Sequence, residues 1–252
     1  MQKSSTEQYR YFLKDSVRNT LDFSGTDQNL GKPPPPIEKP YSPDAERIDL
    51  TPPDEFQTLS RVDLLYAIAN RQSRRQFSDA PLTQEELSFL LWATQGVRAQ
   101  SPAGHALRTV PSAGNRHALE TYLCVLNVNG LDTGFYRYLP VEHRLVIEYR
   151  DGRAAERIAG ASFRQDWMAT AAVVFMWSAI PYRMEWRYGL AAHKVILLDA
   201  GHVCQNLYLA CEKIEAGTCA VAAYDQDLVD RLLNLDGSNE FVIYLAAVGK
   251  VS

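Results

Sequence analysis

The spacing of apolar residues predicts three amphipathic or buried helices in the second and larger part of the chain. A first helix has its apolar residues between positions 62 and 69, with Ser60 as its candidate cap. A second helix starts with the capping box of residues 83–86 and ends at Gly96. The third, over residues 190–214, is apolar around more than one face. Such a helix is expected in a large core or at a subunit interface.

Runs with strand composition lie between these helices. They cover residues 120–128, 134–139, 144–149, 172–179, 218–223 and 241–248. Two short helices are expected at 153–159 and 225–233, and Asp151-Gly152 indicates a turn. Residues 97–118 are rich in Ser, Pro and Gly and are expected to form a long loop, which in compact domains is usually functional. Helices mixed with antiparallel hairpins predict an α+β fold.

The first 57 residues differ from the rest in composition. They hold eight of the thirteen prolines, which disfavour helix and central strand. Two interpretations are open, a disordered tail or an arm that wraps over its own or a partner's globular body. Apolar anchors favour the arm, because a solvated tail has no need of them; they are Tyr9, Tyr11, Phe12, Leu13, Tyr41, Ile48 and Phe56. The predicted organisation is an arm over 1–57 and one domain over 58–252.

Charge and cysteine content narrow the functional class. A formal net charge of −4 does not favour a nucleic-acid-binding protein. The four cysteines have no CxxC spacing and lie in apolar stretches, which indicates core residues in a reducing compartment. The polar N-terminus has no signal-peptide pattern, and the longest apolar run, 168–180, is too short for a bilayer. We therefore expect a cytoplasmic protein that is not membrane-bound.

Several common catalytic motifs are missing from the sequence. It has no GxGxxG, no GxxxxGK[ST], no GxSxG and no HExxH. Asp199 and His202 lie three residues apart on the long helix and have a spacing that a metal can use. We favour a hydrogen-bonding or core role for them, and we predict no metal site.

Three separated segments combine arginine, small residues and hydroxyls. In residues 70–77, Arg71, Ser73 and Arg75 alternate, so an extended backbone directs them to one side, where they suit a phosphate and a polar ring edge. In residues 108–117, small side chains at 112–114 allow close approach of backbone to a ligand. In residues 216–225, small side chains leave backbone amides accessible beside a flat ligand. Each segment alone is also compatible with an ordinary turn or loop.

Taken in order, the motifs resemble those of the nitroreductase-like FMN-dependent superfamily. They are RxSxR at 71–75, PSAGxRHxLE at 111–120, LLDAGHxxQNLYLA at 197–210 and GTCxxxxYD at 217–225. They look closest to the SagB-type dehydrogenase branch, which includes azoline oxidases of the ThcOx type. The resemblance covers roughly residues 60–250. It implies a nitroreductase-like α+β fold, with a central, mostly antiparallel sheet flanked by helices, in a homodimer with two FMN sites at the interface.

The resemblance also implies roles for individual residues. Arg71 and Ser73, with Gln72 between them, bind the FMN phosphate, and Arg75 faces N1 and O2 of the pyrimidine. An arginine there stabilises the charge that arrives with the hydride. The other implied cofactor-binding residues are Pro111, Ser112, Ala113 and Gly114 from the partner chain, Gln165 at the pyrimidine edge, Val221, Ala222 and Ala223 beside the ring near N5, and Lys250 near the phosphate.

Two positions depart from the family pattern. Ala223 stands where the family has a glycine near N5. Azoline oxidases use a lysine and a tyrosine near the start of the long helix, where this chain has Ala192-His193-Lys194. Lys194 is then the candidate base if its pKa is depressed, and His193 the candidate substitute for the tyrosine. An ordinary helical role for both residues is the open alternative.

Three functions remain in competition. The first is dehydrogenation of an azoline or similar ring on a peptide or small metabolite. The second is reduction of nitroaromatics or quinones with NAD(P)H as a transient electron donor. The third is a non-catalytic partner protein that has lost its flavin, against which the retained Arg71, Ser73 and Arg75 argue.

Overall fold

A computed structural model describes residues 4–57, 59, 61–100 and 106–251 of the 252-residue chain. Thr58, where the predicted domain begins, and Ser60, the predicted helix cap, lie outside the described residues. The first helix of the domain is instead capped by Asp63, whose carboxylate accepts hydrogen bonds from the amides of Leu65 and Tyr66.

A seven-stranded antiparallel sheet forms the centre of the molecule. Its strands are β1 (Arg47–Asp49), β4 (Leu119–Val125), β5 (Gly134–Leu139), β6 (Arg144–Arg150), β7 (Val173–Ala179), β8 (Ala216–Val221) and β9 (Phe241–Lys250). The spatial order is β1-β6-β5-β4-β7-β9-β8, so β8 is an edge strand. Strands β2 (Val97–Gln100) and β3 (Ala106–Arg108) form a separate antiparallel pair.

Seven α-helices surround the sheet in the described part of the chain. They are α1 (Ser5–Leu13), α2 (Leu64–Asn70), α3 (Gln84–Gln95), α4 (Ala154–Ala161), α5 (Tyr182–Tyr188), α6 (Ala192–Lys213) and α7 (Gln226–Leu232). Thr83 and Glu86 form the predicted capping box of α3, and Gly96 closes that helix. None of the helices in residues 4–57, 59, 61–100 and 106–251 is long and apolar enough to cross a membrane.

The two faces of the sheet carry two separate hydrophobic clusters. Along β4, Leu119 and Leu123 pack with α3 and α6, whereas Tyr122 and Cys124 pack with α4 and α7. This alternation follows from the two-residue repeat of a strand that is buried on both faces. All four cysteines are buried and free, as their apolar surroundings predict. The fold is therefore α+β with a large antiparallel sheet flanked by helices, and that prediction is confirmed.

The proline-rich arm is more structured than its composition predicts. It contains helix α1, which Ser4 and Glu7 cap, and it contributes β1 to the edge of the main sheet. Proline excludes helix only at and just before its own position, and the first proline is Pro33. Around Pro33, Trp186 accepts from the amide of Gln28 and donates its indole N–H to the carbonyl of Lys32. The arm thus lies on the body of its own chain.

Other differences from the predicted elements have local causes. Residues 97–118 are not one long loop, because Val97–Gln100 and Ala106–Arg108 pair as β2 and β3. Helix α5 was not predicted, since its apolar residues Met184 and Trp186 alternate with charged ones, and one of those, Arg183, is buried by an ion pair. The remaining predicted elements occur with ends displaced by a few residues.

A set of charged side chains is enclosed where the arm crosses the sheet. We call it the buried charge cluster; its members are Lys39, Glu120, Arg137, Arg183 and Glu240. The Arg183 guanidinium lies 2.5 Å from a Glu120 oxygen, and both side chains are at most 2% exposed. Lys39 binds Glu240 at 2.5 Å and donates its backbone N–H to Glu120. Each buried charge in the cluster therefore has a partner of opposite sign.

Candidate active site

The RxSxR segment leaves α2 and runs directly against the edge strand β8. Arg71 ends the helix, Ser73 forms a parallel bridge with Thr218, and the Arg74 amide donates to the Thr218 carbonyl at 3.0 Å. Gly217 makes this approach possible, because a Cβ there would lie 2.5 Å from Cδ of Arg74. Two of the three predicted segments are thus brought together.

Tyr208 on α6 connects these two segments. Its hydroxyl lies 2.9 Å from Oγ of Ser73 and accepts a hydrogen bond from the Ala220 amide at 3.0 Å. The Arg71 guanidinium lies over the Tyr208 ring, 5.4 Å from its centroid. Tyr208 belongs to the LLDAGHxxQNLYLA motif, but we assigned no role to it from the sequence. Its place in that motif was the one signal in the sequence that could have indicated a role.

The two predicted cofactor arginines have no carboxylate partner among the residues that the structure describes. Arg71 lies over Tyr208, and Arg75 lies over the Trp167 ring at 5.8 Å from its centroid. In the described part of the chain, neither guanidinium forms an ion pair. Their donors are therefore available to an anion or a polar ring edge, which a guanidinium binds through paired hydrogen bonds.

Gln165 joins this site from the turn that precedes β7. Its amide nitrogen donates to the Ala223 carbonyl at 2.9 Å and to the Ser162 carbonyl at 3.0 Å. Val221 is buried, but Ala222 and Ala223 are exposed just after β8 ends. Small exposed residues there leave room for a flat ligand against the backbone.

We call this arrangement the β8 cleft; it consists of Arg71, Ser73, Arg75, Gln165 and residues 220–223. Two buried polar atoms at its base, Nε of Arg74 and Oγ1 of Thr218, have no hydrogen-bond partner among the described residues. Unpaired buried polar atoms are rare and costly in a finished protein. The cleft thus combines guanidinium groups without an ion pair to a described residue, exposed residues at 222 and 223, and buried donors without a hydrogen-bond partner among the described residues. These features fit a flat cofactor with a phosphate tail, as FMN has.

The third predicted segment lies elsewhere on the same chain. Ala113 donates its amide to Asp199 on α6, and Asp199 precedes Tyr208 by nine helical residues, or about 13 Å along the helix axis. Gly114 adopts φ +58°, and a Cβ there would lie 2.5 Å from the Tyr188 hydroxyl. The loop is therefore fixed near the start of α6, away from the β8 cleft of its own subunit.

Two residues that flank this loop face the core. Arg108 is 3% exposed and donates to Oε1 of Gln95 and to the Ile37 carbonyl, and burial lowers its pKa to about 10. His117 is also buried, and burial, with repulsion from Arg108, lowers its pKa to about 3. His117 is therefore neutral at physiological pH.

The remaining candidate residues are dispersed. His193 binds Glu185 at 2.7 Å. The Arg18 hydrogen bond lowers the pKa of Asp15 in the arm, and the charge of Lys194 lowers it further to a smaller extent. Lys250 binds Oε1 of Glu86 and the Ile214 carbonyl, both at 2.5 Å, so its charge already has a partner. Gln72 is exposed beside Arg71. No cluster of three metal-ligating side chains occurs in the part of the chain that the structure describes.

An open apolar cavity of about 740 Å³ lies between α2, α3, α6 and the β2–β3 pair. Phe89, Trp92 and Leu209 contribute to its wall, and Pro111 and Ser112 lie at its margin. Next to it, large side chains of α2 and α6 are exposed to solvent; they are Leu64, Leu65, Tyr66, Ile68, Leu197 and Leu198. Several large apolar side chains exposed on two helices indicate a protein contact.

Comparison with known proteins assigns this architecture to one class. The family model described as the nitroreductase family matches residues 68–250. A candidate nitroreductase of Methanocaldococcus jannaschii is 31% identical over 196 residues, which are 78% of this chain and 95% of that protein. The chain belongs to the nitroreductase family. Its general class is thus that of the flavin-dependent oxidoreductases, as the sequence predicted.

Solved structures agree with the fold. A candidate nitroreductase of Ralstonia eutropha has a TM-score of 0.68 at 25% identity, covering 87% of this chain and 99% of its own. A chain of the Escherichia coli microcin synthetase McbBCD complex with truncated pro-MccB17 bound has a TM-score of 0.62 at 17% identity, covering 99% and 98%. A candidate nitroreductase of Desulfovibrio desulfuricans in complex with FMN has a TM-score of 0.52 at 17% identity, covering 77% and 88%. The last two are similar in fold alone.

Proposed function

We propose that the chain binds FMN in the β8 cleft and acts as a SagB-type dehydrogenase on a ring of a small molecule or peptide. One observation carries this proposal. The Ser73–Thr218 bridge joins the RxSxR segment, whose Arg71 and Arg75 form no ion pair with a described residue, to strand β8. When bound, FMN supplies the hydride acceptor or donor.

The residues of the cleft divide into two functional groups. Arg71 and Ser73, with Gln72 at the rim, bind the phosphate, because Arg71 forms no ion pair with a described residue and both side chains lie at Tyr208. Arg75 and Gln165 bind the pyrimidine edge. Arg75 lies over the ring of Trp167, and the side chain of Gln165, two residues before Trp167, donates a hydrogen bond to the Ala223 carbonyl. Val221, Ala222 and Ala223 lie against the ring. Arg75 has the further role of stabilising negative charge that the hydride brings to the ring.

The second half of each site comes from a partner subunit. We propose a homodimer in which residues 111–114 reach the β8 cleft of the other chain, since they lie far from it within one chain. The exposed apolar residues of α2 and α6 supply the contact surface. The four unpaired, buried thiols support our proposal that the protein works in a reducing compartment such as the cytoplasm.

His193 and Lys194 are the proposed acid and base near the substrate. Both lie on the first turn of α6, and the His193–Glu185 contact fixes one ring nitrogen of the histidine. Lys250 stays a proposed source of positive charge near the phosphate, although its contact with Glu86 reduces the charge available to a ligand.

A second function, NAD(P)H-dependent reduction of nitroaromatics or quinones, has one specific support. The archaeal relative that is 31% identical to this chain is described as a nitroreductase. The two functions differ in how the flavin is reduced. A thiazoline peptide should bleach the yellow flavin of the dehydrogenase, whereas NAD(P)H with a quinone should be consumed steadily by the reductase.

The experiment is to purify the protein, record its flavin spectrum, and add each reductant without oxygen. Bleaching by the thiazoline peptide alone supports the dehydrogenase. Steady NAD(P)H oxidation without such bleaching supports the reductase. A colourless protein that does not take up added FMN contradicts both and leaves the non-catalytic partner protein.

A further inference from the structure

A buried carboxylate stands at the base of the loop formed by residues 111–114. Asp199 lies on the second turn of α6 and is 5% exposed. Its Oδ1 accepts a hydrogen bond from the Ala113 amide at 3.3 Å. Its Oδ2 is buried without a hydrogen-bond partner among the described residues.

No basic side chain in the described part of the chain neutralises this carboxylate. No described lysine or arginine forms an ion pair with Asp199, and His202, which faces it from the next turn, is exposed. Burial raises the pKa of Asp199. A buried acid without an ionic partner costs folding free energy. Its hydrogen bond to the Ala113 amide therefore indicates that Asp199 has a function in holding the loop.

The Ser112 hydroxyl is committed within the same network. It accepts a hydrogen bond from the His117 amide at 2.9 Å. The Asn115 amide in turn donates to the Ser112 carbonyl at 3.0 Å. A hydroxyl that already accepts a hydrogen bond inside its own subunit is less free to bind a ligand. What the loop presents outward is the exposed, left-handed Gly114 and its main chain.

We propose that Asp199 is a positioning residue that fixes residues 112–114 in the conformation in which their main chain meets the FMN of the partner subunit. This inference rests on the proposed function. It differs from direct binding of FMN by the Ser112 side chain. Asp199 acts only by holding the loop of its own subunit, so it affects only the FMN site to which the partner subunit contributes the β8 cleft.

The first test measures FMN affinity of purified variants by flavin fluorescence. We expect Asp199→Ala to weaken binding about tenfold or more, since a charge-assisted hydrogen bond is lost. Asp199→Asn keeps an acceptor oxygen for Ala113 and should recover most of that loss. Asp230→Ala is the matched control. Asp230 is a buried acid on α7 that accepts from the Val242 amide, and its removal should leave FMN affinity of the folded protein unchanged.

The second test uses a mixed dimer and does not depend on the stability of one variant. Chains with Asp199→Ala and chains with Arg71→Ala carry different affinity tags, and the heterodimer is purified through both. One of its sites combines an intact Arg71 cleft with an intact loop, so it should bind one FMN per dimer with near wild-type affinity. The two homodimeric variants should both bind weakly.

The outcomes separate the two proposals. Weak binding at both sites of the heterodimer means that Asp199 acts within its own subunit, and overturns the inference. Wild-type affinity of the Asp199→Ala homodimer overturns it as well, while leaving the proposed function intact. Wild-type affinity of the Arg71→Ala homodimer contradicts the proposed FMN site itself.

Discussion

Arginine has opposite surroundings in two regions of this protein. In the buried charge cluster, Arg183 and Arg137 are at most 3% exposed and face the carboxylate of Glu120. In the β8 cleft, Arg71 and Arg75 lie over aromatic rings, and no described carboxylate binds them. A buried cation must be neutralised by the protein itself. A cation at a binding site is held in place by apolar contact so that its donors stay free for the ligand.

The comparison predicts that substitutions in the first region change stability and those in the second change ligand affinity. The largest effect is expected for Glu120→Gln, which leaves Arg183 without its carboxylate partner and Arg137 with Glu148 alone. Removing one member of a buried ion pair costs about 3–5 kcal/mol. Urea unfolding of the FMN-free protein measures this loss. A loss near zero would show that Glu120 does not neutralise these arginines.

A smaller effect, on the ligand and not on the fold, is expected for Arg75→Ala. Loss of a charged donor should weaken FMN binding ~30-fold, or by about 2 kcal/mol. Flavin reduction should also be slower, because charge on the ring is less well stabilised. Fluorescence titration and stopped-flow bleaching measure the two effects, and unfolding of the FMN-free protein is the control. Unchanged affinity and rate together would refute the pyrimidine-edge assignment of Arg75.

Tyr208→Phe tests the connection between the two segments of the cleft. The ring under Arg71 is kept, but the contacts of the hydroxyl with Ser73 and the Ala220 amide are lost. We expect a loss of stability of about 1 kcal/mol and an FMN affinity lowered several-fold. Both follow from thermal melts with and without FMN. Unchanged stability and FMN affinity in this variant would mean that β8 and the RxSxR segment hold together without the Tyr208 hydroxyl.

The smallest effect is expected at the surface. Arg150 binds Glu46 at 2.7 Å, but the two side chains are 47% and 60% exposed. Water and salt screen such a pair, so Glu46→Gln should leave the urea midpoint unchanged within error. This variant is also the control for Glu120→Gln, since both replace a carboxylate bound to arginine. A similar loss in both would remove the distinction between buried and exposed pairs.

The parts of the structure that local pattern determines were predictable. The capping box at Thr83 and the two-residue repeat of the strands depend on neighbouring residues, and the structure contains both. Helix α5 was missed because its burial depends on Glu120, a residue 63 positions from Arg183 in the sequence. The pairing of β2 with β3 was missed for a similar reason, since composition does not reveal which short segments pair.

The sequence indicated which segments form the candidate site, but it did not show how these segments lie relative to one another in space. The alternation of Arg71, Ser73 and Arg75 predicted a ligand-binding segment, and in the structure this segment lies against β8. The contact depends on Gly217, whose missing Cβ gives Arg74 its room, and on Tyr208. Neither requirement leaves a local pattern in the sequence. The roles of all these residues in binding FMN or in catalysis stay predictions, including those of His193, Lys194 and Lys250.

The bridge between Ser73 and Thr218 also has a kinetic consequence. The hydrogen bond between Ser73 and Tyr208, which accompanies this bridge, joins residues 135 positions apart in the sequence. Closing so long a loop is slow and costs chain entropy before any contact is gained. The cleft should therefore assemble among the last steps of refolding. Added FMN should slow unfolding without accelerating the formation of the sheet.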